Sequence, residues 1–511
     1  MAINSTDVHG SLLGRSVIYA DVEEVDNTNI KEVLEDAMEA HESNQNDIDY
    51  LYNYYLGDQP ILQRTKTYRD DIVNNVVVNR AYEIVSFLTG YLLSAAIQYI
   101  DSAANDSEED IESSDLVKLT NWCKMAEKDA SDLSIAEWQS VCGTAFRMAL
   151  PVEEQSEEMA HAGYEPAPFE IFTLDPRYTF IVYSSALGHK PLMGVTFVNL
   201  DDDTKRYYCY TKNQMFVLDD DYNTIESPKS HILGRVPIVE YPANQSRLGD
   251  FEPVILLLDA INAAESDRLD ALEEIVDNIL CLEGMLIPTE SGKTQIQSEV
   301  DFMAVLKEVK GLMIPQGGKA YYLENGVNQT DQQTFADALY DEVLQIVGMP
   351  TRSARTSGWN RTSDTGSAAI LREGWSQTES RSRNRETIFK KSERVFLNNL
   401  ITICDAFGLN LSPVDVDIRF PRRNYTNDSA NVTNLVTMLS SDWIRPEFAY
   451  EHCNMTPDPH REYLLAKKWH EEQENTEVKA VMTETEDEAN AAEGLPTEEV
   501  SANDNQTNSI I

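Results

Sequence analysis

The feature that most constrains the fold is a run from Glu252 to Leu280 that contains no glycine. Its single proline, Pro253, falls in the first turn, where a helix tolerates the ring. Apolar residues recur at helical spacing and acidic residues occupy other faces, which predicts an amphipathic helix roughly 40 Å long with an acidic side. The apolar positions are Val254, Leu258, Ile261, Leu269, Leu272, Val276 and Ile279, and the acidic positions are Asp259, Asp267, Asp270, Glu273, Glu274 and Asp277.

A second helix follows after an interruption. Residues 281–329 hold glycines and prolines between short apolar runs, which predicts a compact module of strands and turns. The helical pattern resumes over Thr334–Val347 and stops at Gly348-Met349-Pro350. Helix, module and helix together predict a helical hairpin whose tip is replaced by a small domain.

The amino-acid composition of the chain changes again after Pro350. Residues 351–366 have almost no aliphatic side chains and are rich in Ser, Thr, Gly and Arg, which predicts a loop with a functional or flexible purpose. A third long helix is predicted from about Ser367 to Phe407, ending at a glycine cap, Gly408. The alternating run at 414–420 then predicts a strand.

The first half predicts an α+β unit. Residues 1–48 are acidic and weakly periodic, which predicts an arm with some helix outside the core, with packing from Tyr50 onward. Helices are expected near Tyr82–Leu93 and over Leu133–Ala149, and five apolar runs between 169 and 218 predict strands. The uncharged run Ile84–Ile100 is too short to cross a bilayer, so it predicts a buried helix running into a strand and no membrane contact.

The two ends of the chain and its charge limit the function. The formal net charge of -46 excludes a surface that grips nucleic acid everywhere, so any DNA contact is local. The acidity fits either a solvated, self-repelling surface or a wall that DNA slides past. The six scattered cysteines are expected to be reduced thiols, and the amino terminus lacks a secretion signal. From Glu471 to Ile511, twelve acidic residues against one lysine predict disorder.

Two motif fragments fail on spacing. The string at 290–294 resembles the end of a phosphate-binding loop, but its first glycine is replaced by Ile287. Asp219, Asp221 and Asn223 resemble the start of a calcium loop, but the turn glycine and closing glutamate are missing, which favours a polar hairpin turn.

No catalytic constellation remains. The three aspartates at 201–203 predict a solvated turn, and His452 and His460 lack metal-site spacing and are expected at a surface or interface. No nucleophile elbow, zinc motif or dinucleotide fingerprint is present. We therefore expect no enzymatic activity, no catalytic residue, no metal site and no cofactor.

A positive island interrupts the acidic chain. Between Arg352 and Arg394, ten basic residues stand against five acidic ones. The arginines in the predicted helix are expected to pair with acidic neighbours, within the helix or across subunits, while those on the loop are candidates for phosphate contact. The helical candidates for subunit contact are Arg372, Arg381, Arg383 and Arg385, and the loop candidates for DNA contact are Arg352, Arg355 and Arg361.

The order of elements resembles the portal, or head-to-tail connector, proteins of long-tailed phages of Gram-positive hosts. The resemblance covers roughly Tyr50 to Glu474. YNYYLGDQPIL at 52–62 and NNVVVNRAYEIVSFLTGYLLSAAIQY at 74–99 resemble that family's opening signature: an aromatic stretch with Leu-Gly, an Asn-preceded strand, and a helix ending in Thr-Gly-Tyr. The helix, module, helix, Met-Pro, loop and long helix resemble its stem, clip, stem, tunnel loop and wing helix.

The resemblance implies a mostly helical α+β portal fold. The implied division is a 1–48 arm, a 49–250 wing, a 251–280 stem helix, a 281–329 clip, a 330–349 second stem helix, a 350–366 tunnel loop, a 367–428 wing helix and strand, a 429–475 helical crown and a 476–511 acidic disordered tail. The crown is expected to consist of short helices.

The resemblance also implies partners and a location. It implies a dodecameric ring at one capsid vertex that conducts double-stranded DNA during packaging and ejection. The other implied partners are the terminase large subunit, the major capsid and scaffolding proteins and a neck or tail adaptor, with assembly in the host cytoplasm. Two alternatives stay open: an adaptor or minor capsid protein without a channel, and a nuclease that uses metal-bound carboxylates.

Overall fold

The structure of the protein is a computed structural model that describes most of the chain. The described residues are 14–67, 70–101, 114–152, 166–200, 204–276, 279–283, 300, 319–323, 329–350, 375–421, 428–453, 455, 459 and 462–473. The fold is α+β: helices and several small sheets alternate along the chain.

The helices are introduced in chain order. They are α1 (Ile30–Leu56), α2 (Arg80–Leu92), α3 (Ser114–Met125), α4 (Lys128–Cys142), α5 (Ile255–Val276), α6 (Gln329–Val347), α7 (Trp375–Asp405), α8 (Asp428–Leu439) and α9 (Pro446–Cys453), with 3-10 turns at Pro60–Gln63 and Glu252–Val254. Residues 462–473 are also helical. Within the described part of the chain, none of these helices is both long and apolar enough to cross a membrane.

The strands form four sheets in the described residues. They are β1 (Ile18–Ala20), β2 (Gln98–Asp101), β3 (Thr144–Pro151), β4 (Phe169–Leu174), β5 (Thr179–Ser184), β6 (Pro191–Asn199), β7 (Lys205–Tyr210), β8 (Gln214–Leu218), β9 (Lys229–Ser230), β10 (Ile238–Pro242), β11 (Ile279–Glu283), β12 (Lys319–Leu323) and β13 (Val416–Arg419). The sheet orders are β1-β5-β6-β7-β8-β9, β10-β3-β4, β11-β12 and β13-β2. All neighbours are antiparallel except β1 and β5.

The amino-terminal segment belongs to the core, so the prediction of a separate 1–48 arm is wrong for its described part. Strand β1 joins the six-stranded sheet through its parallel pairing with β5. Residues of α1 pack into the same core as that sheet. Arg15 forms an ion pair with Glu252 at 2.6 Å, and both side chains are almost fully buried. The acidic residues within α1 lie on its outer face, so the acidic composition of the segment concealed the apolar stripe of the helix.

The helix predicted over Leu133–Ala149 ends early. Helix α4 stops at Cys142, and residues from Thr144 onward form β3. Gly143 ends the helix with φ of 81°, a conformation that glycine adopts without strain. The six residues from Thr144 to Ala149 are all buried, including Arg147, so the run lacks the alternation of buried and exposed residues that identifies a strand. By contrast, the run at 84–100 forms the expected helix and strand, α2 and β2.

The long helices also differ from prediction at their ends. Helix α5 covers Ile255–Val276, whereas residues 279 and 280 lie in β11, so Ile279 is not on the helix. Strands β11 and β12 form a two-stranded antiparallel pair between α5 and α6, and residues 284–299 and 301–318 lie outside the described residues. Helix α7 is described from Trp375, and the predicted start at Ser367 falls outside the described residues.

Two hydrophobic cores hold these long helices. One packs the inner face of α7 against α3, α4 and strands β2, β3, β10 and β13. The other packs α5 and α6 against α1, α2 and the end of α4. The carboxyl-terminal helices α8 and α9 pack against each other, with Ala449 and Cys453 buried. Residues 474–511, the larger part of the predicted acidic tail, lie outside the described residues.

Candidate functional site

Helices α5 and α6 lie side by side and form one structural pair, which we call the stem pair. Leu258 and Ile261 of α5 pack in the same core as Tyr340, Val343 and Leu344 of α6. These residues recur every three or four positions, so each helix buries one stripe and exposes the other. The stem pair carries ten acidic residues and a single basic one, Arg268. Its exposed faces are therefore strongly negative.

The acidic side of α5 is less uniform than its sequence pattern indicates. Asp267 is exposed, with 59% of its side chain accessible. Asp270 is buried, with 3% of its side chain accessible, and it pairs with Lys66 at 2.5 Å. Asp259 accepts a hydrogen bond from the Tyr54 hydroxyl at 2.9 Å. The prediction of one continuous acidic face is wrong at Asp270, because helical periodicity cannot show which segment of the chain covers a polar face.

The segment that covers α5 is the predicted strand of the opening signature. The amides of Asn74, Val76 and Val78 donate to Asp270 Oδ1, Ser266 Oγ and Asn262 Oδ1 at 2.8, 3.0 and 2.8 Å. Every second residue of an extended chain is about 6.6 Å further along, and every fourth residue of a helix is about 6 Å further along. Because these spacings nearly match, alternate amides of the segment can reach every fourth side chain of α5. The segment is extended but belongs to no sheet, which corrects the strand expected there.

Asn79 joins this segment to the next helix. Its side-chain oxygen accepts from the amide of Tyr82 at 3.2 Å and so caps the amino terminus of α2. Its side-chain nitrogen donates to the carbonyl of Tyr55 at 2.8 Å, in the last turn of α1. The segment around residues 74–82 therefore fixes α1, α2 and α5 relative to one another.

The carboxyl end of α6 is closed by its own backbone and by α7. Gly348, with φ of 72°, donates to the carbonyl of Gln345, and Met349 donates to that of Leu344 at 2.8 Å, which is a Schellman cap. The next carbonyls accept from α7: Ile346 from Arg381 Nη1 at 3.3 Å, and Gly348 from Thr378 Oγ1 at 2.7 Å. The predicted helix stop at Gly348-Met349-Pro350 is confirmed.

Asp250 lies at the start of the first stem helix and also contacts α7. Its carboxylate pairs with Arg381 at 3.3 Å and with Arg385, and it accepts a hydrogen bond from Ser140 Oγ at 2.5 Å. Burial alone would raise the pKa of Asp250, but Arg385 and Arg381 outweigh it and hold that pKa below its usual value. The carboxylate is therefore ionised and ties α7 to the segment that leads into α5.

The predicted arginine sites divide into two groups. The loop candidates Arg352, Arg355 and Arg361 and the helical candidate Arg372 lie outside the described residues. Of the other three subunit-contact candidates, Arg381 and Arg385 pair with Asp250 of their own chain, which lies outside α7 and was expected neither as a partner within the helix nor as one across subunits. Arg383 pairs with Glu379 one turn away and leaves 73% of its side chain exposed. Arg383 is thus the described candidate with the most surface available to a neighbouring copy.

A buried ionic cluster lies behind this region, and sequence reasoning did not find it. Glu393 of α7 pairs with Lys128 at 2.9 Å and with Arg147, and Lys128 also pairs with Asp132 at 2.7 Å. All four side chains are at most 3% exposed. Tyr99 and Tyr241 donate their hydroxyls to Glu393 at 2.6 and 2.8 Å.

The charge state of this cluster follows from its contacts. Burial raises the pKa of Glu393, but Arg147 and Lys128 lower it more strongly, to about 2. One sequence signal does exist: Glu393 lies at helical spacing within the apolar stripe of Phe389, Phe396 and Leu400. A charged residue at such a position indicates a buried partner.

The failed motifs behave as expected where they are described. Asp219 Oδ1 accepts from the amides of Asp221 and Asn223 at 3.1 and 2.7 Å, which forms the predicted hairpin turn after β8. The described residues bring together no group of three His, Cys, Asp or Glu side chains that could hold a metal ion. The string at 290–294, the aspartates at 201–203 and His460 lie outside the described residues.

Comparison with known proteins decides the family. A family model described as "Phage portal protein, SPP1 Gp6-like" matches residues 35–479, which is most of the chain. The chain belongs to this portal family. The match includes the opening signature, the stem pair and α7, so the sequence-based resemblance is confirmed. Portal proteins are structural components of the phage particle, and the chain is accordingly a virion protein.

The other two comparisons add little. No curated protein matches the portal chain at a significant level. Among solved structures, one similar chain comes from a structure described as the neck of an empty GTA particle computed with C6 symmetry. It is 10% identical, covers 74% of this chain and 90% of that chain, and has a TM-score of 0.44.

Proposed function

We propose that this portal protein forms a homo-oligomeric ring, a dodecamer, at one vertex of the capsid and conducts double-stranded DNA during packaging and ejection. The observation that carries the proposal is the match to the portal family over residues 35–479. In such a ring each subunit contacts its two neighbours through two different surfaces. This head-to-tail, or heterologous, interface closes identical subunits into a ring.

The stem pair is the proposed wall of the channel. Acidic residues far outnumber basic ones in this pair, and those with exposed side chains make its surface repel phosphate. DNA that does not adhere to the wall can slide past it, because any phosphate contact would have to break at each step. Glu342 of α6 is exposed and is one carboxylate positioned to act in this way, whereas Asp267, although 59% exposed, pairs with Arg64. Asp270 is excluded from the wall by its burial under Lys66.

The proposed DNA contacts lie on the loop between the stem pair and α7. Arg352, Arg355 and Arg361 belong to the region 352–394, in which basic residues outnumber acidic ones two to one. At physiological salt the Debye length is about 8 Å, so these cations attract DNA only where it passes close by. A ring of such loops would grip DNA locally while the stem repels it.

Further partners are proposed from the resemblance to the portal family. The clip, residues 281–329, is proposed to meet the terminase large subunit during packaging and the neck or tail adaptor afterwards. The major capsid and scaffolding proteins are proposed as further partners. Assembly is proposed to take place in the host cytoplasm.

Electron microscopy of the purified chain tests the ring directly. We expect rings with a central channel and, by class averaging, twelvefold symmetry. A stable monomer that cleaves DNA in the presence of a divalent metal ion would contradict the proposal and favour a nuclease. Rings without an open channel would favour an adaptor.

Charge reversal tests the loop. We expect the triple change of Arg352, Arg355 and Arg361 to Glu to reduce the amount of DNA packaged or retained per head, with rings still formed. The matched control changes three exposed wing lysines, Lys190, Lys212 and Lys229, to Glu, which alters the net charge equally. We expect the control to package normally. Equal packaging by both triple variants would remove the loop from the mechanism.

A further inference from the structure

The side chain of Arg381, on α7, contacts both the segment that leads into α5 and the last turn of α6. Its Nη1 donates to the carbonyl of Ile346, in the last turn of α6, at 3.3 Å. Its Nη2 lies 3.3 Å from Asp250 Oδ1, five residues before α5 begins. A single guanidinium thus connects three segments that are far apart in the sequence. The planar guanidinium presents one nitrogen to each of these two oxygens at once.

Asp250 does not depend on Arg381 for its pairing. Its carboxylate is 6% exposed and also receives Arg385, whose side chain is 11% exposed, and the hydroxyl of Ser140. Its amide donates to the carbonyl of Ser140 at 2.7 Å. Loss of Arg381 therefore leaves no buried carboxylate unpaired. Loss of Arg385 would remove the less exposed of the two cations.

The end of α6 does not depend on Arg381 for its shape either. The Schellman bonds of Gly348 and Met349 form within the chain itself, and Thr378 supplies a further hydrogen bond to Gly348. Arg381 adds a link from the last turn of α6 to Asp250. With 36% of its side chain exposed, this link is of the weak, solvent-screened kind. It fixes position without being needed for folding.

From these contacts we propose that Arg381 is a positioning residue of the portal. It holds the end of α6, where the chain enters the 351–374 segment, against the start of α5. The link can open without unfolding the subunit, because Asp250 stays paired and the cap stays formed. The role rests on the proposed function, since it sets the place from which the DNA-contacting loop leaves the stem.

Hydrogen exchange on the assembled, full-length ring tests the link itself. We expect Arg381→Met to speed the exchange of the Gly348 and Met349 amides about fivefold, the change that corresponds to losing a weak surface pair. Arg381→Lys retains the charge but not the fork, so its effect should be intermediate. Lys391→Met, an exposed cation on the same helix, is the matched control and should change nothing. Unchanged exchange in Arg381→Met would overturn the proposal.

Packaging assays with the same rings test whether position matters for function. We expect Arg381→Met to keep the unfolding midpoint and the ring but to package less DNA, and Arg381→Lys to recover part of the loss. Faster exchange with unchanged packaging would overturn the positioning role while leaving the portal function intact. Failure of the wild-type ring to package would instead contradict the proposed function. Arg385→Met, by contrast, should lower the unfolding midpoint.

Discussion

Replacing Glu393 by glutamine should destabilise the subunit strongly. The substitution keeps the size of the side chain but removes one of the two negative charges that compensate Lys128 and Arg147. All members of the cluster are buried, so solvent does not screen the two cations that remain. Breaking a buried ion pair by removing one partner costs about 3–5 kcal/mol. That is a large part of the stability of an ordinary domain.

The lowered pKa of Glu393 gives the pH dependence of this stabilisation. Folding lowers that pKa from 4.5 to about 2. At about 1.4 kcal/mol per pKa unit, the ionised form contributes about 3 kcal/mol. Because the folded pKa is the lower one, this contribution is complete above pH 4.5 and is lost as the pH falls toward 2.

Urea unfolding, followed by circular dichroism and tryptophan fluorescence, measures both quantities. At pH 7 we expect Glu393→Gln to unfold at a markedly lower urea concentration than wild type, and the difference to shrink as the pH falls below 4.5. Glu226→Gln, which removes an exposed partner of Lys229, is the control and should change stability by less than about 0.5 kcal/mol. A loss below about 1 kcal/mol for Glu393→Gln, or a difference independent of pH, would refute the reasoning.

Two further predictions concern the backbone and a buried histidine. Gly143→Ala should destabilise the protein by about 2 kcal/mol or more in urea unfolding, because φ is +81° and a Cβ would lie 2.0 Å from the Arg247 carbonyl oxygen. The control is Gly188→Ala, where φ is +99° but nothing lies within 4 Å of the added Cβ, so the loss of stability should be smaller. Burial lowers the pKa of His41 from 6.5 to about 4, so the stability of the protein should fall by about 3 kcal/mol as the pH drops from 6.5 to 4. His41→Gln should abolish this part of the pH dependence. An identical pH profile for the variant and the wild type would contradict the prediction.

Local patterns were sufficient for several elements. The periodicity of apolar residues predicted the stem pair, and Gly348-Met349-Pro350 predicted the end of α6, because caps depend on the residues at the helix end itself. The alternating runs between 169 and 218 predicted β4 to β8 within about two residues. The order of these elements also carried the family resemblance.

Other features required the tertiary structure. Residues 144–149 are buried on both faces, so their sequence has no period that distinguishes a strand from a helix. The segment at 74–78 has the composition of a strand, yet its amides bond to the side chains of α5. The acidic residues of α1 suggested an exposed arm, although its other face packs on a sheet.

The sequence by itself determined the succession of long helices, their caps, the acidic character of the stem pair and membership of the portal family. The tertiary structure alone decided which charges are available to a partner. It buried Asp270 under Lys66, enclosed Glu393 among cations, and assigned Arg381 and Arg385 to Asp250. The physical reason is that secondary structure follows from neighbours along the chain, whereas the state of a charge depends on the groups that folding brings within a few ångströms of it.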